Sequence, residues 1–115
     1  MSRMLGVLAL LLVLPLFAPA DPPAPAAPAG RWRVKFANGV VETCTFDQGT
    51  ATETEPLRQS TGKPEAQDGS FVIAFADDRT ERWTPVGKRW VVEHWYPSAA
   101  YPAGRPVVGI ASRQP

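Results

Sequence analysis

The sequence predicts an all-β fold: an antiparallel meander of six to seven strands curled into a half-barrel or small barrel, preceded by a signal peptide helix and a proline-rich linker. Three observations carry it. Apolar and polar residues alternate with period two in several short runs, of which Arg31-Trp32-Arg33-Val34-Lys35-Phe36 is the cleanest. Turn formers separate these runs at the spacing of a meander: Asn38-Gly39, Asp47-Gln48-Gly49, Asp68-Gly69, Asp77-Asp78 and Gly87-Lys88. No segment after the first twenty residues sustains a helical period.

Residues 1–20 have the layout of a signal peptide. Arg3 is their only charge, Met4 to Phe17 is almost continuously apolar, and Ala18-Pro19-Ala20 forms a small-residue cleavage site. The apolar run is shorter than the ~20 residues that span a bilayer, and Pro15 interrupts it. Cleavage is therefore expected after Ala20, placing the protein in a secreted or periplasmic location with no membrane attachment afterwards. Residues 21–29, DPPAPAAPA, form an extended Pro/Ala-rich linker with nothing to contribute to a core.

The β-domain is expected over 30–96. Arg31 to Phe36 is a half-buried strand, and Asn38-Gly39 is read as a two-residue hairpin turn. That turn pairs Phe36 with Val41, Lys35 with Glu42 and Val34 with Thr43, so opposite charges face each other across the ladder. Val40 to Phe46 returns, and Thr50 to Glu55 is a third strand ended by Pro56. Leu57 to Gly62 reads as loop and Lys63 to Gln67 as a short strand, confined to an edge by Pro64. Ser70 to Ala76 is the most apolar strand. Arg79 to Val86 and Arg89 to Tyr96 follow, joined at Gly87-Lys88. Residues 97–115 form a Pro-rich tail, within which Val107 to Ala111 is suited to dock as one further edge strand.

Charge excludes one class of partner. Lys and Arg number 12 against 11 Asp and Glu, and loss of Arg3 with the signal leaves a formally neutral chain. Such a chain has no broad field to attract nucleic acid or an anionic membrane. Cys44 is the single cysteine, so no internal disulfide forms; mid-strand, it reads as a buried thiol or as one half of an intermolecular disulfide.

Gly30-Arg31-Trp32 resembles the G-x-W that opens the first strand of lipocalins and related calycin barrels, and the meander that follows is similar to theirs. The resemblance covers Gly30 to Tyr96. It implies that Trp32 packs at a barrel floor under a late-strand arginine, for which Arg82 is the candidate, and that a small apolar molecule is the kind of ligand bound. The chain is short for eight long strands, which puts a deep cavity in doubt.

The candidate ligand or partner residues are Arg82, Trp83, Trp90, His94, Trp95 and Tyr96. With Gly87-Lys88 as the turn, Trp83 faces Val92, Arg82 faces Glu93 and Glu81 faces His94. One face then carries Trp83, Trp90, Val92 and His94, and the other Arg82, Val91, Glu93 and Trp95. Both are partly apolar, so the outer one needs a cover: the tail, a partner chain or a ligand. The aromatic-proline cluster Trp95, Tyr96, Pro97, Tyr101 and Pro102 is read as pinning the tail to the sheet.

His94 has no nucleophile at triad spacing, and no ligand-spaced cluster of His, Cys and carboxylates exists. The expected function is accordingly non-enzymatic, with no cofactor and no metal: a lipocalin-like domain binding a small apolar ligand or a partner surface. The alternative is a structural or protein-interaction module of the cell envelope, including the protease-inhibitor type, without a ligand pocket. N-terminal sequencing of exported protein is expected to begin at Asp21; an intact mass that includes residues 1–20 would contradict the signal peptide.

Overall fold

A computed structural model describes residues 26–115. The signal peptide reading, with the first part of the linker, lies outside them. Eight antiparallel strands form a closed barrel in sequence order: β1 (Gly30–Phe36), β2 (Val41–Asp47), β3 (Thr50–Glu55), β4 (Arg58–Gln67), β5 (Ser70–Phe75), β6 (Thr80–Val86), β7 (Arg89–Trp95) and β8 (Val107–Arg113). A single 3-10 turn, Pro97–Ala99, is the one helical element among the described residues, and no helix there is long and apolar enough to cross a membrane.

The all-β antiparallel expectation holds, and of the half-barrel and the small barrel it is a closed barrel that forms, but its strands number eight rather than six to seven. Two strands account for the difference. β4 replaces the loop expected at Leu57 to Gly62 and extends through the short strand. Beyond Gly62 it pairs with β5 alone, so Pro64 interrupts no second ladder. β8 is no edge strand, because it pairs with both β1 and β7 and thereby closes the barrel.

Both strands escaped the period-two reading because their inward positions are small. Ser60 and Gly62 of β4 face the interior opposite Glu53 and Ala51 of β3. Gly109 and Ala111 of β8 lie opposite Val92 and Trp90 of β7. Small residues on β4 and β8, on opposite sides of the closed wall, leave room for rings from the strands between them. At Gly109 the fit is tight: a Cβ would stand 2.7 Å from Phe36 Cδ1 and 2.8 Å from the Lys35 carbonyl oxygen.

Turn chemistry sets the registers. Gln48-Gly49 and Asp68-Gly69 are two-residue turns with both residues at positive φ. Gly87-Lys88 joins Val86 to Arg89 with positive φ at Gly87 alone, and the expected pairs Trp83–Val92, Arg82–Glu93 and Glu81–His94 all form. The first hairpin differs. Its loop has three residues, Ala37 to Gly39: the Phe36 N–H donates to the Val40 carbonyl (2.9 Å) and the Gly39 N–H to that of Phe36 (3.0 Å). Gly39 sits at φ +91°. The extra residue shifts the ladder by one, so Lys35 pairs with Val41, Val34 with Glu42 and Arg33 with Thr43. A one-residue shift turns a side chain to the opposite face. Glu42 is therefore inside the barrel rather than beside Lys35.

The interior has two ends of different character. At one, Trp32, Phe46, Phe71, Trp83 and Trp90 interlock, mostly edge to face, with ring centroids 4.9–6.5 Å apart. Arg113 of β8 lies over the Trp32 ring at 5.4 Å. The late-strand arginine over Trp32 is thus Arg113 and not Arg82. At the other end, under the β1–β2, β3–β4 and β5–β6 loops, the interior is polar. The substitution Gly109→Ala is expected to destabilise the protein by about 1–3 kcal/mol, by overpacking against Phe36. Urea unfolding measures it, and an unchanged midpoint would refute the close contact.

Candidate functional site

The polar end of the interior is built by parity along four strands. In β2, Cys44 and Phe46 point inward, and so does Glu42 two residues earlier. In β3, Ala51 points inward and carries Glu53 with it. In β6 and β7 the inward residues at this level are Glu81 and His94, directly paired. Arg79 joins from the end of the β5–β6 loop, directly after the three-residue turn Ala76 to Asp78, in which Asp78 sits at φ +70°. Glu42, Glu53, Arg79, Glu81 and His94 are all at most 3% exposed.

Arg79 organises the carboxylates. Its Nη2 donates to Glu53 Oε1, its Nη1 to Glu55 Oε2 (2.6 Å) and its Nε to Asp77 Oδ2 (3.0 Å). Nη1 also lies 3.3 Å from His94 Nε2. A guanidinium has no acceptor, so Nε2 accepts, and the ring proton of a neutral His94 sits on Nδ1. There it faces Glu81 Oε2 at 2.6 Å. Glu81 Oε1 takes the Trp83 indole N–H at 2.9 Å, which ties the polar end to the aromatic end. Phe36 and Tyr96 meet the His94 ring edge-on at 5.5 and 4.7 Å.

Glu42 stands apart. No group outside the carboxyl cluster hydrogen-bonds either of its oxygens among the described residues, nor Glu53 Oε2, and all three atoms are buried; the hydrogen-bonding neighbours of Glu42 are the Glu81 and Glu53 carboxyls. Burial, with Glu81 and Glu53 beside it, pushes Glu42 up to about 12. Burial and the adjacent Glu55 carboxyl push Glu53 up to about 8, against the opposing pull of Arg79. Glu55 moves the other way: burial raises it, but hydrogen bonds with Glu53 and Arg79 outweigh that and hold it below its ordinary value. Burial also pushes the Cys44 thiol up, helped by Glu81, Glu42 and Glu53. Cys44 is free and fully buried, so of the two readings it is the internal thiol.

The six residues singled out in the sequence do not share one surface. Trp83 and Trp90 belong to the aromatic end and His94 to the polar end. Arg82 is on the outer face, held by Glu93 at 2.6 and 3.0 Å, and lies over the Trp95 ring. Trp95 is also on the outer face, but the tail covers it. Its indole N–H donates to the Gly104 carbonyl at 2.8 Å, and Tyr101 stacks edge-on at 4.7 Å. The cover that the outer face needs is therefore the tail.

Sequence spacing shows no metal motif, yet the barrel brings two groups of suitable side chains together. They are Glu42, Glu81 and His94, and Glu42, Glu53 and Glu55, with ligand atoms within 4.8 Å of one another in each. Apart from Glu53 and Glu55, both on β3, these residues come from separate strands, so no local spacing betrays the groups. A signal did exist: Glu42 shares parity with Cys44 and Phe46, and Glu53 with Ala51.

On the outer surface a groove of about 510 Å³ is lined by Gly39, Val40, Val41 and residues 55–58, at the same end as the polar cluster. Leu57 at its rim is 98% exposed.

The fold is that of a closed eight-stranded antiparallel meander barrel, compatible with the calycin type. No protein-family model, no curated protein and no solved structure matches the chain.

The raised Glu42 has a consequence for stability. A carboxyl whose folded value exceeds its unfolded value of 4.5 contributes stability that is complete below 4.5 and lost as pH rises towards about 12. With chelator present, the wild type is expected to lose about 1.4 kcal/mol per pH unit through this group between pH 6 and 8. Glu42→Gln, which needs no proton, should flatten that slope. Urea midpoints across this range measure the effect, and parallel slopes for the two proteins would refute it.

Proposed function

We propose that the protein is a non-enzymatic, extracytoplasmic binding barrel that meets a protein partner through its outer surface, at the end carrying the Pro56–Leu57 turn. The observation behind this reading is the filled interior. A lipocalin-type apolar ligand would need the space that Trp32, Phe46, Trp83 and Trp90 occupy as an interlocked cluster. The barrel wall is calycin-like, and its contents leave the outside as the contact surface.

The groove beside Leu57 favours an apolar protein segment as the occupant. Val40, Val41, Pro56 and Leu57 give it an apolar lining, with Glu55 and Arg58 as polar edges. A side chain as exposed as Leu57 contributes nothing to the core, and an anchoring contact is a use for it. The non-enzymatic reading is supported by His94, whose two nitrogens are engaged by Glu81 and Arg79 and whose ring is buried. The extracytoplasmic location rests on residues 1–20 alone.

Site-specific photocrosslinking in the native host tests this reading. A benzophenone side chain at position 57 is expected to give a discrete adduct, and one at position 88, at the opposite end, none. Leu57→Asp should abolish binding while shifting stability by no more than about 0.5 kcal/mol. Equal adducts from both positions would overturn the proposal, as would saturable one-to-one uptake of a fatty acid with quenching of tryptophan fluorescence.

A further inference from the structure

We propose that the polar end of the barrel interior is a site for a hard divalent cation of the calcium class, bound by oxygens of Glu42, Glu53 and Glu55. This goes beyond the partner-binding reading and does not depend on it.

The first support is Glu42 itself. It is 1% exposed, both its oxygens lack a partner outside the carboxyl cluster among the described residues, and it lies within reach of the other carboxylates. Glu53 Oε2 is likewise buried with no donor on it, its hydrogen-bonding neighbour being the Glu55 carboxyl of the same cluster. The strong donors around them are engaged elsewhere. The Arg79 guanidinium is spread over Glu53 Oε1, Glu55 Oε2, Asp77 and His94, and the Trp83 indole is spent on Glu81. Arg79 leaves the second oxygen of Glu53 and the second oxygen of Glu55 unclaimed.

Spacing is the second support. The ligand oxygens of Glu42, Glu53 and Glu55 lie within 4.8 Å of one another. Oxygens around Ca²⁺ stand about 2.3–2.6 Å from the ion, so opposite ligands are roughly 5 Å apart. The three carboxylates are already confined to the span of one coordination shell.

Charge is the third. Glu42, Glu53, Glu55, Asp77 and Glu81 converge on one end of the barrel, and the cations bonded to them are Arg79 and, at the rim, Arg58. Five carboxyl groups thus face two arginines, an excess of three acidic groups. A divalent cation offsets two of them and removes the repulsion of Glu81 and Glu53 on Glu42.

The chemistry of the donors selects the class of ion. His94 is the one nitrogen ligand nearby, and its Nδ1 proton points at Glu81 while Nε2 accepts from Arg79. Metallation at Nδ1 would move the ring proton to Nε2, facing an Arg79 N–H. The available set is therefore carboxylate oxygen, which suits calcium, magnesium or manganese rather than zinc or copper. Glu55, whose side chain is 14% exposed, lies between this cluster and the outer groove and marks the way in.

The test uses the whole protein, treated with chelator and then given Ca²⁺, Mn²⁺ or Zn²⁺. Ca²⁺ or Mn²⁺ at saturation is expected to raise Tm by roughly 10 °C. Tb³⁺, an oxygen-seeking stand-in for Ca²⁺, should luminesce through excitation of the nearby Trp83, and Ca²⁺ should compete it away. Glu42→Gln should abolish both responses, whereas His94→Gln should leave the Tb³⁺ signal in place. If Glu42→Gln fails to fold, the Tb³⁺ lifetime in H₂O and D₂O decides on the wild type: few bound waters fit the buried site, and a nearly full hydration shell contradicts it. The proposal is overturned if no ion shifts Tm, since Glu42 is then a neutral carboxylic acid. It is also overturned if Zn²⁺ alone acts and His94→Gln abolishes its effect.

Discussion

Arg79 enters the barrel from the β5–β6 loop and commits its guanidinium to the inside, with Glu53, Glu55 and Asp77 on its three nitrogens and His94 against one of them. Much else depends on that arrangement. Each charge taken out of water costs several kcal/mol, and only a partner of good geometry offsets it. Arg79 lets Glu53 and Glu55 remain close together in a closed barrel. By donating to His94 Nε2 it also sets the tautomer that lets Nδ1–H meet Glu81. Glu81 in turn receives the Trp83 N–H. A single guanidinium thus connects a loop, β3, β6 and β7, and through Trp83 the aromatic end as well.

The division of the interior into an aromatic end and a polar end bears directly on function. The aromatic end is close-packed, because Ala51, Gly62 and Ala111 give way to the rings around them. An end packed in that way supplies rigidity and leaves little room for a guest. The polar end sits beneath the loop carrying Leu57 and shares Glu55 with the outer groove. Any binding at that end therefore takes place on a wall whose positions are fixed by the packing at the other. Hydrogen-bonded strands on both sides of every strand make the closed barrel a stiffer scaffold than an open sheet.

The legibility of these parts varied for physical reasons. The β6–β7 hairpin was fully readable, since Gly87 serves a two-residue turn and the pairing of Glu81 with His94 follows by counting. Asn38-Gly39 offers the same signal, but there the chain spends a third residue, Ala37, in the loop. The resulting shift moved Glu42 from an expected surface pair to the centre of the candidate site. Turn residues announce that a hairpin exists more firmly than they announce its length. Strand parity was the better guide: Glu42 shares a face with Cys44 and Phe46, and no turn type alters that relation. β4 and β8 were hard to read because a strand whose inward residues are serine, glycine and alanine has no apolar stripe to detect.

By itself, the sequence determined the antiparallel all-β class, the tight turns, the near-even balance of charge and the alternation that puts Trp32 with Val34, and Trp83 with Trp90, on a common face. These are local properties, set by φ preferences at turn residues and by the two-residue period of a strand. Only the tertiary structure decided that β8 closes the barrel, that Arg113 rather than Arg82 lies over Trp32, and that the tail rather than a partner covers Trp95. It also decided that three glutamates, an arginine and a histidine from distant parts of the chain meet in one buried volume. Closure brings residues together across strands, and the distances and desolvation it imposes are written in no stretch of sequence short enough to read.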